Sequence, residues 1–220
     1  MKSFLSAGAA VAVLLGVSAL AIASTPSPSE PSEGCNKHCD HPVTAEKQPL
    51  PATPRTDAPS QGRADAKVTV EVWSDFQCPY CAKGAERLKA LREKYGDQVR
   101  FVFRHFPMPF HSNARAAAAA SMAAHEQGKF WEFHDALFAN QNELDRASLE
   151  ALATKLNLDM TRFRRALDSS TWNNYVDTEV AEGQRRAIAG TPTFFINGKP
   201  LIGAQPLSTF TDAIDAELQH

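Results

Sequence analysis

The feature that most constrains this fold is a strand pattern that leads, through two closely spaced cysteines, directly into a helix. Residues 68–73 are almost all β-branched or aromatic, which is typical of a strand. Cys78-Pro79-Tyr80-Cys81 follows after four residues, and apolar residues then recur at three-residue steps through residues 79–95. Pro79 suits the first turn of a helix, where its missing N–H would have no partner. We therefore expect Cys78 to lie at the N-terminal end of a helix.

The remaining patterns give an order of elements that defines the fold class. A second strand is followed by a block of helical patterns, a hairpin with Asn197-Gly198 at its turn, and a closing helix. The predicted strands span residues 99–103, 193–196 and 200–202, and the predicted helices span residues 112–127, 130–138, 148–156, 159–167, 172–188 and 207–218. Asp159 and Ser170 are candidate N-caps. This order predicts an α/β fold with helices around a mixed central sheet and an inserted all-helical subdomain at about residues 112–188.

Residues 1–23 have the pattern of a signal peptide. Lys2 precedes a short apolar run, and Ala21-Ile22-Ala23 offers the small residues that signal peptidase recognises, so we expect cleavage after Ala23. The alternative is an uncleaved anchor, because the run from Phe4 to Ala23 approaches the roughly 20 residues needed to cross a bilayer. Both interpretations predict an extracytoplasmic chain, in the periplasm or secreted.

Residues 24–63 contain eight of the fourteen prolines and show no apolar period. Such a composition cannot bury enough surface to offset its ordering entropy. We expect a disordered tether there, followed by one folded domain at residues 64–220. The net charge of −2 and the lack of a basic cluster give no indication of a nucleic-acid partner.

The expected position of Cys78 favours chemistry at its sulfur. Unpaired backbone N–H groups and the positive end of the helix dipole stabilise a thiolate, which is the nucleophile of disulfide exchange. The dipole contributes up to about 2 kcal/mol, or about 1.5 pKa units, so we expect a clearly lowered pKa that is not at the extreme for such motifs. Cys81 follows one turn later, on the buried side. We predict that Cys78 attacks, forming a mixed disulfide, and that Cys81 resolves it.

A Cys-x-x-Cys pair has two other interpretations, half of a zinc site or a static structural disulfide. Tetrahedral zinc needs four ligands, and the other two cysteines, Cys35 and Cys39, lie in the proline-rich segment. The strand, the proline and the helix start around the pair favour redox use in an exported chain. We therefore expect no metal at Cys78 and Cys81, and no cofactor.

Six groups of residues, which include the cysteine pair, together resemble the motifs of a known family and follow one another in the same order. They are Ser74-Asp75-Phe76-Gln77-Cys78-Pro79-Tyr80-Cys81, Arg104-His105-Phe106-Pro107, His111, Gln127-Gly128-Lys129-Phe130-Trp131, His134-Asp135 and Gly190-Thr191-Pro192-Thr193-Phe194-Phe195-Ile196-Asn197-Gly198. Residues 62–219 resemble the DsbA family, in the branch near the BdbD-type proteins of Gram-positive bacteria. The resemblance implies a thioredoxin fold with an inserted helical domain, and a redox-active disulfide between Cys78 and Cys81.

The resemblance also assigns residues around that pair. It implies that the peptide bond before Pro192 is cis, that this proline lies against the cysteines, and that Thr191 offers backbone groups to an extended substrate chain, as an added strand would pair. Pro79 and Tyr80 complete the supporting residues. From the residues alone, a simpler interpretation stays open, in which Pro192 only opens a strand.

One position departs from the family pattern. Relatives carry an acidic residue six positions before the first cysteine, where this chain has Val72. Glu71 is adjacent, but strand alternation points it to the other face of the sheet. The carboxylate that would exchange protons with Cys81 is therefore expected to be missing, and Asp75 or water would serve instead.

Three histidines in these motifs have two interpretations each. His105 follows a strand and is a candidate for the rim of the active site. His111 and His134 are expected to cap or pack helices. A role in the chemistry is the alternative, because histidine changes its charge near neutral pH.

Cys35 and Cys39 form a second group with His38 and His41. We expect a local disulfide between the two cysteines in an oxidising compartment. The alternative is a copper(I) or zinc site, which would make Cys35–His41 a metal-binding module. A haem attachment motif is excluded, because Asp40 and not a histidine follows Cys39.

These patterns predict a thiol–disulfide oxidase that acts on reduced or misoxidised exported proteins. A quinone-linked membrane protein or another redox partner would reoxidise it. An isomerase or a reductase with the same residues is the alternative, since a threonine before the proline is common among isomerase-type relatives. Such isomerases add an oligomerisation module, which the proline-rich tether does not resemble, so we expect a monomer and favour oxidation. Glutathione-dependent chemistry is disfavoured, because exported compartments offer little glutathione.

Overall fold

The computed structural model describes residues 58–219, so the predictions for the signal peptide, for the tether up to residue 57 and for Cys35 and Cys39 lie outside the described residues. The strands are β1 (Ser60–Gln61), β2 (Val68–Ser74), β3 (Val99–His105), β4 (Thr193–Ile196) and β5 (Lys199–Ile202). The helices are α1 (Pro79–Tyr95), α2 (Ala114–His125), α3 (Phe130–Ala139), α4 (Arg146–Lys155), α5 (Met160–Asp168), α6 (Thr171–Arg185) and α7 (Leu207–Gln219). A short 3-10 turn, Gly96–Gln98, joins α1 to β3.

The five strands form one mixed sheet in the order β1-β3-β2-β4-β5. β2 and β3 are parallel over their full lengths and end together, with Ser74 opposite His105. β4 runs antiparallel to β2, so that its first residue, Thr193, lies opposite Trp73. The residues that follow β2 and β3 and those that precede β4 therefore meet at one end of the sheet, and the cysteine motif lies there.

The two faces of the sheet follow the alternation of side chains along β2. Val68, Val70 and Val72 point into the main hydrophobic core, which also takes in residues of α1, α7 and the helical subdomain. Trp73 points the other way, into a smaller apolar cluster. Gly183 of α6 allows a close approach on this side, because a Cβ there would lie 2.6 Å from the ring of Phe106.

The helices α2 to α6 all lie between β3 and β4, so the predicted insertion of a helical subdomain into a mixed α/β sheet is observed. Asp159 caps α5, as predicted, by accepting hydrogen bonds from the main-chain N–H groups of Thr161 and Arg162. Ser170 is the N-cap residue of α6, as predicted, but its side chain makes no capping hydrogen bond. Asp145 instead caps α4 through the main-chain N–H groups of Ala147 and Ser148.

Two predicted boundaries differ from the structure. The folded part begins before the predicted boundary at residue 63, because β1 pairs antiparallel with β3 and Ala58 is buried. A two-residue strand that depends on long-range pairing carries little local signal. Helix α6 ends at Arg185 and not at residue 188, since Ala187 has a left-handed backbone with φ of 56°. Within residues 58–219, no helix combines the length and the apolar character that a membrane crossing requires.

Candidate active site

Cys78 and Cys81 lie at the start of α1, as the sequence predicts. Cys78 is the N-cap residue with an extended backbone, and Pro79 is the first helical residue. The main-chain N–H of Cys81 donates to the carbonyl oxygen of Cys78 at 3.0 Å. Both residues are free thiols and both are buried, with 6% of Cys78 and 1% of Cys81 exposed. The two sulfurs are therefore one helical turn apart, with Cys81 on the inner side.

The surroundings of the two sulfurs move their pKa values in opposite directions. A hydrogen bond from the Cys81 side chain is the main cause that lowers the pKa of Cys78 to about 5, and the Thr191 side chain and the main-chain N–H groups of Tyr80 and Cys81 add to it. Burial raises the pKa of the Cys81 thiol. The acidified Cys78 is as predicted, but its largest cause is the neighbouring thiol and not the end of the helix. At neutral pH Cys78 is a thiolate and Cys81 a protonated thiol.

The loop before β4 completes the surroundings of Cys78. The Thr191–Pro192 peptide bond is cis, as the family resemblance implies. The carbonyl oxygen of Thr191 lies 3.6 Å from the Cys78 sulfur. On the inner side Pro192 faces Gly84 of α1, and its carbonyl accepts a hydrogen bond from the main-chain N–H of Gly203. Pro192 is therefore held between α1 and the residues after β5, next to the cysteines.

Asp75 joins the end of β2 to the cysteine pair. Its main-chain N–H donates to the Cys81 sulfur at 3.4 Å, and its carboxylate is buried. One carboxylate oxygen, Oδ1, accepts the main-chain N–H of Gln77 at 2.7 Å. The other, Oδ2, accepts the main-chain N–H of Met108 at 2.7 Å and lies 2.7 Å from Nδ1 of His111. Asp75 thus contacts Cys81 through its main chain, while its buried carboxylate is bonded to His111.

The active-site loop is also tied to the helical subdomain. The amide group of Gln141, which follows α3, donates to the carbonyl oxygens of Phe76 at 2.7 Å and of Cys78 at 2.9 Å. The side-chain oxygen of Gln77 accepts the main-chain N–H of Asn113 at 2.8 Å. The subdomain therefore fixes the backbone on both sides of the first cysteine.

Glu71 lies on the other face of the sheet, as the alternation predicts, where it belongs to a buried ion cluster. It pairs with Arg186 and with Arg104, and it accepts a hydrogen bond from the Trp73 indole N–H at 2.7 Å. Arg104 pairs in turn with Glu179 at 2.8 Å. These charges compensate one another, so Glu71 does not serve Cys81.

The three histidines have different environments. His105 is fully buried among aromatic rings, where burial lowers its pKa to about 3, so the prediction that it could line the rim is wrong. His134 packs in the same aromatic cluster and bonds Asp135. His111 is half-buried, with 19% of its side chain exposed, and bonds Asp75. Of the three, His111 is the histidine that bonds Asp75, whose main-chain N–H donates to the Cys81 sulfur.

The positions of the remaining predicted residues are also clear. Tyr80 is 64% exposed beside Cys78, at the mouth of the site. Within residues 58–219 no group of three or more potential metal ligands occurs. Sequence reasoning did not find Gln141, Glu179 or Arg186. Gln141 follows a helix in an ordinary polar stretch, and the two charged residues stand in α6 and directly after it, so no local pattern distinguishes them.

The comparisons with known proteins agree with this geometry. The sequence profile of the family described as Thioredoxin matches residues 55–216, most of the chain. The chain belongs to the thioredoxin family. A thioredoxin-like oxidoreductase from Silicibacter pomeroyi DSS-3 superimposes with a TM-score of 0.68 at 26% identity, over 76% of this chain and 95% of that one. Oxidised BdbD from Bacillus subtilis superimposes with a TM-score of 0.66 at 26% identity, over 74% of this chain and 94% of that one. The thioredoxin family domain is thus a thiol–disulfide oxidoreductase of the DsbA type, and its thioredoxin fold with a helical insertion is confirmed.

Curated relatives match only in part of their length. A protein of Salinispora tropica named as the Na(+)/H(+) antiporter NhaA 3 is 39% identical over 155 residues, which are 70% of this chain and 24% of that protein. The chain spans about a quarter of the length of the curated relatives it matches. The shared segment is the length of one thioredoxin family domain, so the antiporter name describes those longer proteins.

Proposed function

We propose that this thioredoxin family protein is an extracytoplasmic oxidase that transfers the Cys78–Cys81 disulfide to exported proteins. A client thiolate attacks the Cys78 sulfur of the oxidised pair, the Cys78–Cys81 bond breaks, and the electron pair leaves with Cys81. A second client thiolate then attacks the client sulfur of the mixed disulfide. Cys78 leaves as a thiolate, the client has gained a disulfide, and the enzyme is left as a dithiol.

The low pKa of Cys78, about 5, is the observation that carries this proposal. A stabilised thiolate stabilises the reduced enzyme, which makes its disulfide a stronger oxidant. At pH 7 a pKa of about 5 stabilises the reduced form by about 3 kcal/mol relative to an ordinary thiol, which is about 60 mV in potential. The same thiolate is a good leaving group, so the mixed disulfide resolves toward the oxidised client.

The accessible side of the site suits a polypeptide substrate. Tyr80 is exposed beside the pair, and Thr191 stands before the cis-proline at the start of β4. An extended client segment that pairs with the Thr191 backbone would bring a client cysteine to Cys78, as in strand addition. The proposal includes export after cleavage at Ala23, a monomer in solution, and reoxidation by a quinone-linked membrane protein or another redox partner.

Equilibration of the pair with glutathione buffers tests the proposal. We expect a reduction potential nearer ~−120 mV, typical of an oxidant, than ~−270 mV, typical of a reductant. A reduced, unfolded client should be oxidised faster than a scrambled client is repaired, and Cys78→Ser should abolish both activities. A potential near ~−270 mV, or faster repair than oxidation, would assign the same residues to a reductase or an isomerase.

A further inference from the structure

Cys81 needs a proton each time the disulfide opens and must lose one each time it forms. The family position for a proton-exchanging carboxylate holds Val72, whose side chain points into the core. Glu71 next to it is bonded to Arg104, Arg186 and Trp73 on the other face. Neither residue can accept the proton of a thiol that is 1% exposed.

Asp75 is the carboxylate residue that contacts this sulfur. Its main-chain N–H donates to Cys81 Sγ at 3.4 Å, and its buried carboxylate Oδ2 lies 2.7 Å from His111 Nδ1. The imidazole retains 19% side-chain exposure. Asp75 therefore contacts the buried sulfur through its main chain and, through its carboxylate, an imidazole that is partly exposed to solvent.

We propose that Asp75 and His111 form the proton-transfer pair of Cys81. When a client thiolate opens the disulfide, Cys81 leaves with the electron pair of the broken S–S bond and takes a proton from the pair, and His111 regains a proton from water. In the reverse direction Cys81 gives its proton to the pair as its sulfur attacks the Cys78 sulfur of the mixed disulfide, and the client leaves as a thiolate. Asp75 is the residue in contact with the reacting sulfur, and His111 acts through Asp75. This inference rests on the proposed redox use of Cys78 and Cys81.

The pair is anchored independently of the histidine. Met108 and Gln77 donate their main-chain N–H groups to the two carboxylate oxygens, so Asp75 keeps its orientation when His111 changes its protonation. The titratable groups next to the pair are the cysteines of α1. The charged residues on the far face of the sheet bond to one another, as described for Glu71.

Stopped-flow reaction of the reduced protein with 5,5′-dithiobis(2-nitrobenzoate) measures the reaction rates of the two sulfurs separately. Attack by Cys78 releases one thionitrobenzoate and leaves the other on Cys78, and attack by Cys81 then releases the second. The full chain is used, with Cys35 and Cys39 replaced by serine in every variant so that only the active-site pair reacts. The variants are Asp75→Asn, His111→Asn, His111→Ala and the control Asp135→Asn. The control removes the carboxylate of the other histidine–aspartate pair, in which His134 Nδ1 lies 2.8 Å from Asp135.

We expect Asp75→Asn and His111→Asn to slow the second release about 10-fold or more at pH 7, as loss of a general acid–base group does. The pH dependence of that step should differ between the parent protein and both variants, since the variants lack the group that exchanges the proton. The first release should change less than about twofold, since general acid–base effects are confined to the proton-transfer step. Asp135→Asn should leave both releases unchanged.

His111→Asn keeps a donor near the position of Nδ1 but does not titrate, so it separates proton transfer from a structural hydrogen bond. A second release that is normal in His111→Asn and slow only in His111→Ala would overturn the proposal, and so would a normal second release in Asp75→Asn. If circular dichroism shows that Asp75→Asn does not fold, His111→Asn decides alone. A missing rapid first release in the parent protein would instead contradict the proposed role of Cys78.

Discussion

Gly84 and Pro192 are closer than a side chain at position 84 would comfortably allow, since an added Cβ would lie 3.1 Å from Pro192 Cγ. Gly84 lies in α1, and Pro192 is the cis-proline of the loop that contacts the Cys78 sulfur. The helix that carries both cysteines can thus lie this close to the loop that faces them because position 84 has no side chain.

Replacement of Gly84 by alanine should therefore impair the chemistry more than the fold. Alanine favours a helix by about 1 kcal/mol over glycine, which offsets part of an overpacking cost of about 1–3 kcal/mol. We expect a change of at most about 2 kcal/mol in unfolding free energy by urea titration. Client oxidation should slow because Pro192 and the Thr191 carbonyl are displaced. Gly190→Ala is the matched control, since a Cβ there meets nothing within 4 Å. Equal activity in both variants would contradict the role assigned to this contact.

The pKa of Cys78 should respond to its neighbours in the order of their contributions. The Cys81 side chain is the largest cause of the lowering to about 5, and the Thr191 side chain is a smaller one. Cys81→Ala should therefore raise the midpoint of the thiolate absorbance at 240 nm more than Thr191→Val does. Lys83→Ala, in the same helix, serves as the control and should leave the midpoint near 5. A larger effect of Thr191→Val would reverse the assignment.

Reduced protein should become more stable as the pH rises from about 5 to 7. Cys78 has a lowered pKa of about 5 in the folded state, and an ordinary thiol in the unfolded chain has about 8.5. The stabilisation is complete above about pH 8.5 and is lost as the pH falls through about 5, so the gain between pH 5 and 7 is about 2 kcal/mol. Urea unfolding of the reduced protein at several pH values measures it. Reduced Cys78→Ser lacks the thiolate, and an identical slope in that variant would refute the prediction.

Removal of the Glu71 charge should destabilise the protein without affecting thiol chemistry. Glu71→Gln removes the carboxylate that pairs with Arg186 and one of the two carboxylates that pair with Arg104. The loss of this charge inside a buried cluster costs about 3–5 kcal/mol. The surface variant Glu150→Gln, whose partners Arg146 and Arg164 are exposed, should cost much less, because solvent screens those pairs. In the Glu71→Gln variant, both releases of thionitrobenzoate should keep their parent rates under conditions where it is folded. A slowed second release would identify Glu71 as the proton partner of Cys81.

The sequence predicts those parts of the fold that depend on local chemistry. Pro79 after a strand fixes the start of α1, Asp159 marks a helix start, and alternation along β2 separates Val72 from Glu71. Strand β1 was not predicted, because two residues have no periodicity and their pairing partner lies about forty residues away. The end of α6 was misplaced, since nothing in the sequence shows that Ala187 takes a left-handed backbone.

The candidate site divides in the same way. The cysteines, Thr191 and Pro192 were found through their motifs, and Asp75 and His111 were named without their bond to each other being foreseen. Gln141 could not be found, because its two hydrogen bonds join it to residues more than sixty positions earlier in the chain. Contacts of this kind arise only when separate elements pack, and a single sequence carries no local record of them.

The arrangement of β2, β3 and β4 at one end of the sheet has a consequence for biogenesis. The acidity of Cys78 depends in part on Thr191, which is more than one hundred residues later in the chain. A chain made from its N-terminus therefore contains both cysteines long before the segment that holds Thr191 has been added. Until residues 191–196 take their place beside β2, Cys78 lacks the part of its acidity that Thr191 contributes, so the complete active site forms only after β4 has been made.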